Sequence, residues 1–212
     1  MGIVSSNPCD MLERPKTQTA PPRGLSSEQV RTLLAAMPDT LKSRRDRAIV
    51  LTLLLTGRRR SEVLNLKAGD ISIDDGKPFY TYRGKGGKRG RRELPMPALE
   101  AISRSLADIG KQLGTMQSDE SLWQSGASVR GLTSATFYNR FRGHLATAGL
   151  PRSGVHILRH TAAKLRRDAG EPIESVSQFL DHSSLGVTTT YLRRLEGQKD
   201  SSWPSVALAL GI

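Results

Sequence analysis

The chain has 212 residues, 37% of them hydrophobic, enough for a sizeable core and too many for wholesale disorder. Lys and Arg total 32 against 20 Asp and Glu, a net charge of +12 with a pI near 10.4, so a polyanionic partner is expected and nucleic acid is the commonest one. A single cysteine, Cys9, excludes an internal disulfide framework and a cysteine metal site; no run of 18 apolar residues is present to span a bilayer, and no apolar signal segment opens the chain.

Residues 1–24 are proline-rich (Pro8, Pro15, Pro21, Pro22) and read as a linker or extended arm. A helix is then predicted from Ser26 to about Met37: Ser26 and Gln29 have capping-box spacing, with Leu25 and Val30 placed as a staple. A second runs over 44–56. Its stretch Ala48–Leu55 is apolar nearly all round and belongs in the centre, and Gly57 ends it. A third, short helix carries Glu62, Val63, Leu64 and Leu66. The period then shortens. Ile71 and Ile73, the Asp75–Gly76 turn, Phe79–Tyr82 and a returning segment Arg92–Met96 predict three antiparallel strands, Pro95 marking an edge. Between the last two lies a basic, glycine-rich tip, 84–90.

Helical periodicity resumes after Pro97 to about Leu113. Residues 114–131 read as a long polar connection. Thr133 caps a helix to about Ala148, another runs from His156 to Gly170, and Pro172 opens one through Ile173, Val176, Phe179 and Leu180. A short helix over 188–195 and an apolar stripe at 206–210 complete the chain. The predicted fold class is mainly α with a small three-stranded antiparallel sheet (α+β).

Basic and nucleophilic side chains recur at the joints of these elements. Arg58, Arg59 and Arg60 follow the buried helix, with Glu62 close behind; Lys85 and Lys88 sit on the hairpin tip; His156 and Arg159 are three apart on one helix face; His182 follows a helix end; Tyr191 lies nine residues later. Singly, each is ordinary: most tyrosines are packing residues, and most arginines are solvated. Together they suit one reaction. A phosphodiester undergoing displacement gathers negative charge that guanidinium forks match, a lysine can protonate the leaving oxygen, and a tyrosine hydroxyl can store the bond as a phosphotyrosine. No paired carboxylates flank these motifs, so no metal and no cofactor are expected.

In this order the motifs resemble the tyrosine recombinase, or phage integrase, family: Thr-Gly-x-Arg-x-x-Glu, a hairpin lysine, His-x-x-Arg, Leu-Gly-His and a tyrosine about nine residues on. The resemblance spans roughly Leu25–Leu195 and implies the catalytic-domain fold of that family. It implies that Arg59, Arg159, His156 and His182 hold the phosphate, that Glu62 supports Arg59, that Lys85, ahead of Lys88, is the general acid, and that Tyr191 is the nucleophile forming a 3′-phosphotyrosyl bond. Double-stranded DNA is the implied partner, with a homo-oligomer (a synaptic tetramer) on it, in the cytoplasm at the nucleoid of a prokaryotic or phage system. The implied organisation is a linker over 1–24 that in family members joins a preceding core-binding domain, a catalytic domain over 25–200, and a C-terminal helix over 201–212 that docks on its own domain or on a neighbouring protomer. On this reading the chain is a catalytic fragment of a longer protein. Two other readings are a type IB topoisomerase-like relaxation activity and a non-catalytic DNA-binding module. The pattern has one departure: Asp181 stands where glycine is usual, and aspartate tolerates a left-handed backbone better than most residues. Around the motifs, Arg58 and Arg60 are expected at the surface or on backbone, His160 in the core or on a carbonyl, and His144 as an ordinary helix residue. Trp123 and Trp203 are expected as core or interface anchors. Lys88, Arg89, Arg91 and Arg92 are assigned to DNA phosphates, ahead of the alternative that the hairpin arginines form a solvated edge.

Overall fold

A computed structural model describes residues 24–84, 87, 89–125 and 128–181. Helix α1 (Ser27–Ala36) begins at the predicted capping box, with Gln29 N donating to Ser26 Oγ at 3.1 Å and Ser26 N to Gln29 Oε1 at 2.9 Å. Helix α2 (Leu41–Thr56) starts three residues earlier than its apolar run suggests, because Thr40 Oγ1 accepts from Ser43 N. It ends at Gly57, whose φ of 61° is left-handed. As its composition predicts, α2 is the central element. Ala48, Ile49, Val50, Leu53 and Leu54 are buried, and it packs against α4 (Met96–Ala107) and α6 (Ile157–Asp168).

Short α3 (Arg60–Leu64) leads to a three-stranded antiparallel sheet of β1 (Ile71–Asp74), β2 (Lys77–Arg83) and β3 (Arg89–Glu93), in the order β1-β2-β3. Asp75 and Gly76 both have positive φ, as the two-residue hairpin turn requires. Alternate residues of β2, among them Tyr80 and Tyr82, face the core. The returning strand is offset from its prediction. β3 begins at Arg89 and stops at Glu93, and Pro95, expected on a strand edge, is the N-cap of α4. Proline lacks an N–H to give to a ladder, and a helix start does not ask for one. Helix α4 also ends at Ala107, short of Leu113, which lies in a 3-10 turn.

The connection over 114–131 holds structure that periodicity does not signal: an irregular pair, β4 (Gln124–Ser125) and β5 (Ser128–Gly131). It is tied down from a distance. Trp123 is fully buried and its indole N–H donates to the Val63 carbonyl at 2.6 Å, while Leu122 N bonds Leu66 O and Leu132 N bonds Trp123 O. Helix α5 (Ser134–Thr147) is capped by Thr133 as predicted and inserts Phe137, Phe141 and Leu145 into the same core. Complete burial of each such side chain stabilises the fold by roughly 1.5–3 kcal/mol. Helix α7 (Ile173–Phe179) is held by a smaller cluster, Ala163, Val176 and Leu180. Among the described residues no helix is long and apolar enough to cross a membrane. The elements expected at 188–195 and 206–210 lie outside the described residues.

Candidate active site

Arg59 follows the left-handed Gly57 turn and is the N-cap of α3. Glu62, buried in the first turn of that helix, binds it twice: Oε2 accepts the Arg59 backbone N–H and Oε1 accepts the guanidinium, each at 2.8 Å. The carboxylate therefore fixes both backbone and side chain of Arg59, whose side chain keeps 37% of its surface in solvent.

Arg159 enters from α6 and is buried. Its Nη1 donates to Gly57 O at 2.6 Å and its Nη2 to Leu180 O at 2.5 Å, so it bridges the end of α2 to the end of α7. Burial, then the like charges of Arg59 and Arg58, pull its pKa down to about 10, with Glu62 and Asp181 opposing. It remains a cation at neutral pH. His156 is the N-cap of α6, and its ring meets that of His160 edge-on, centroids 4.6 Å apart. The residue keeps solvent exposure, yet partial desolvation of the ring, then Arg159, Arg59 and Arg60, lower its pKa below the ordinary 6.5, so the neutral imidazole prevails at pH 7. Arg59, Glu62, His156 and Arg159 thus gather at the junction of α2, α3 and α6. Two guanidiniums and an imidazole crowd there around one carboxylate, an arrangement that attracts an anion. Lys85, Lys88, His182 and Tyr191 lie outside the described residues.

The expectation of a surface position for Arg58 is overturned, and its expected backbone contact holds. Its side chain is only 1% exposed, because the turn at Gly57 directs it inward beneath β2. Its guanidinium pairs with Asp181, donates to the Phe179 and Thr56 carbonyls, and lies 4.6 Å from the centroid of the Tyr82 ring. Asp181 has a φ of 50°, the left-handed conformation anticipated for it, and takes hydrogen bonds from Arg58, the Tyr82 hydroxyl and, at 2.7 Å, Arg92. Sequence reasoning missed this cluster. Its one signal was the aspartate in place of glycine, which had no visible partner 123 residues away.

Two of the hairpin arginines have partners on the protein itself. Arg92 also donates to Gln178 O at 3.2 Å; Arg91 pairs with Asp74 and covers the Phe79 ring at 4.0 Å; Arg89 is exposed at the start of β3. His160 is buried, as expected. His144 is more than an ordinary helix residue, since the fully buried Asp46 accepts its Nε2 at 2.9 Å and Arg140 Nε at 2.7 Å. Trp123 is a core anchor, and Trp203 lies outside the described residues.

A helical domain built on a buried central α2, with an arginine at the α3 N-terminus, a His-x-x-Arg pair opening α6 and a three-stranded sheet beside them, has the architecture of a phage-integrase catalytic domain. The chain belongs to the phage integrase family, whose profile matches residues 23–197. It is 33% identical over 190 residues to the tyrosine recombinase XerA of Pyrococcus furiosus, a match covering 87% of this chain and 62% of that protein. To the tyrosine recombinase XerC of Mycobacterium bovis it is 31% identical over 198 residues, covering 90% and 65%. The fold is similar to that of the XerH site-specific recombinase, crystallised with palindromic difH substrate as a post-cleavage complex. The TM-score is 0.68 at 24% identity, over 90% of this chain and 53% of that one. The chain therefore spans a little under two thirds of the length of the curated relatives it matches.

Proposed function

We propose that this chain carries the chemistry of a site-specific recombinase or integrase, cutting and rejoining duplex DNA through a 3′-phosphotyrosyl intermediate. The observation that supports it most is the unbalanced charge of the site. Arg59, Arg159 and a neutral His156 share a junction with Glu62 as the carboxylate on Arg59, and burial together with the like charges of Arg59 and Arg58 lowers the proton affinity of Arg159. An anion with several oxygens relieves that crowding, and a phosphodiester acquiring charge in its transition state relieves it more than one at rest.

In this mechanism Arg59 and Arg159 bind the non-bridging oxygens. Glu62 holds Arg59 for that contact, and Gly57 O with Leu180 O holds Arg159. His156, neutral at physiological pH, is the candidate to accept the tyrosine proton, and His182 adds a hydrogen bond to the phosphate. The Tyr191 oxygen attacks phosphorus; the bond to the 5′-oxygen breaks, and Lys85 delivers the proton to that leaving oxygen. Attack of a 5′-hydroxyl on the phosphotyrosine reverses the step and rejoins the strand. The bond energy is kept in the protein–DNA link, so the scheme calls on no nucleotide and no metal. The acting form is a homo-oligomer on DNA, at the nucleoid.

The test is incubation with duplexes carrying nicked suicide sites drawn from the gene's own genomic neighbourhood, resolved on denaturing gels beside Tyr191→Phe. A covalent band that the variant loses supports the reading. Equal bands in both, or none in either, including with the gene's full-length product, overturn it.

A further inference from the structure

The two carbonyls that hold Arg159 belong to Gly57 and Leu180, and the residues that follow each of them in the chain, Arg58 and Asp181, are ion-paired to one another. We propose that Arg58 and Asp181 are a positioning pair for Arg159, locking the end of α2 against the end of α7 so that both carbonyls face its guanidinium; the consequence for catalysis rests on the function proposed above.

The pair is built for that task. Arg58 is buried and reaches three acceptors from two distant segments: Thr56 O at 3.3 Å on its own side, and Phe179 O and the Asp181 carboxylate across the gap. The Tyr82 ring lies against it, and the Tyr82 hydroxyl donates to the same Asp181 oxygen that Arg58 holds. The other Asp181 oxygen is taken by Arg92. Three side chains, from the α2 end, β2 and β3, thereby immobilise one carboxylate at the α7 end. Backbone ease does not recommend aspartate here. At φ 50° glycine is the less strained choice, so what aspartate contributes is charge. The position occupied by Arg58 is the variable one of the Thr-Gly-x-Arg motif, and that of Asp181 is where glycine is usual; the two residues answer each other across 123 residues. Each Nη of Arg159 has two N–H groups. One from each is spent on Gly57 O or Leu180 O, which orients the remaining pair. Glu62 and Asp181 also moderate the charge crowding at Arg159.

The experiment uses the 212-residue chain with arginine side chains labelled in 15N, the Arg159 signals being assigned through Arg159→Lys. In the parent protein, rotation about the Arg159 Cζ–Nη bonds is slow and the two Nη groups give separate resonances. Asp181→Gly removes the carboxylate without backbone strain but leaves Arg58 buried and unpaired, so it is compared with the double variant Arg58→Met, Asp181→Gly, which removes that charge and folds like the parent by circular dichroism. In the double variant the Nη resonances merge. With suicide duplex at saturation, covalent product forms about 10–100-fold more slowly, the scale on which ångström misplacement acts, while DNA affinity stays within about threefold. Separate resonances in the double variant overturn the proposal. So does parental cleavage once they have merged. Should the parent chain and the gene's full-length product give no covalent product at all, the proposed function falls, and the resonances still decide whether the pair positions Arg159.

Discussion

Gly57 offers a direct perturbation of the joint on which the site depends. Its φ of 61° is left-handed, and a Cβ built there would lie 2.3 Å from Phe179 Cε1, 2.7 Å from Phe179 Cζ and 3.0 Å from Leu180 Cδ2. Two costs follow for Gly57→Ala. The left-handed backbone costs an alanine about 1–2 kcal/mol, and displacing the packed Phe179 ring and Leu180 costs about 1–3 kcal/mol more. The expected loss is therefore roughly 2–5 kcal/mol, against a typical total stability of about 5–15 kcal/mol. In a domain of this size it lowers Tm by about 2–4 °C per kcal/mol. The assay is urea unfolding in a double-mutant cycle with Phe179→Ala. Truncating Phe179 removes the two closest obstructions and leaves only the 3.0 Å approach to Leu180, so Gly57→Ala costs little beyond its backbone strain in that background, and the coupling is most of the packing cost of about 1–3 kcal/mol. Since Gly57 O and Leu180 O both hold Arg159, the single variant also slows DNA cleavage more than its stability alone accounts for. Strict additivity in the cycle, or a loss below about 0.5 kcal/mol for Gly57→Ala, would refute the packing of α7 on this turn.

The remaining predictions concern charge. Asp46→Ala strips the fully buried carboxylate that joins Arg140 and His144 of α5 to α2, and removing one partner from such a network costs about 3–5 kcal/mol in urea unfolding; a change under about 1 kcal/mol would show that the cluster is idle. His156 has a folded-state pKa below its ordinary 6.5, so the unfolded chain binds the extra proton first. Its contribution to stability is whole above that value and declines as pH falls from about 6.5 towards the folded-state pKa. Urea midpoints measured between pH 7.5 and 5 should fall less steeply for His156→Gln than for the parent, and the His156 ring resonance should titrate below 6.5. Parallel slopes, or a titration above 6.5, would contradict the placement of this ring among arginines.

Local signals made much of this protein legible in its sequence. The Ser26–Gln29 box, the apolar run Ala48–Leu55, Thr133 and the Asp75–Gly76 turn each involve residues within a few positions of one another, where the chain's own spacing decides which groups can meet. The same holds within the site for Arg59 with Glu62 and for His156 with Arg159, three residues apart on a helical turn. Tertiary structure alone decided the rest. The Trp123 indole found the Val63 carbonyl and ordered a stretch whose polar composition reads as connection. His144 and Arg140 found Asp46, and Arg58 turned inward to Asp181. Each of these contacts closes a loop of some 60 residues or more, so no periodicity or spacing encodes it. The residue types say only that a buried charge requires a partner. Which partner it receives is set when the helices pack.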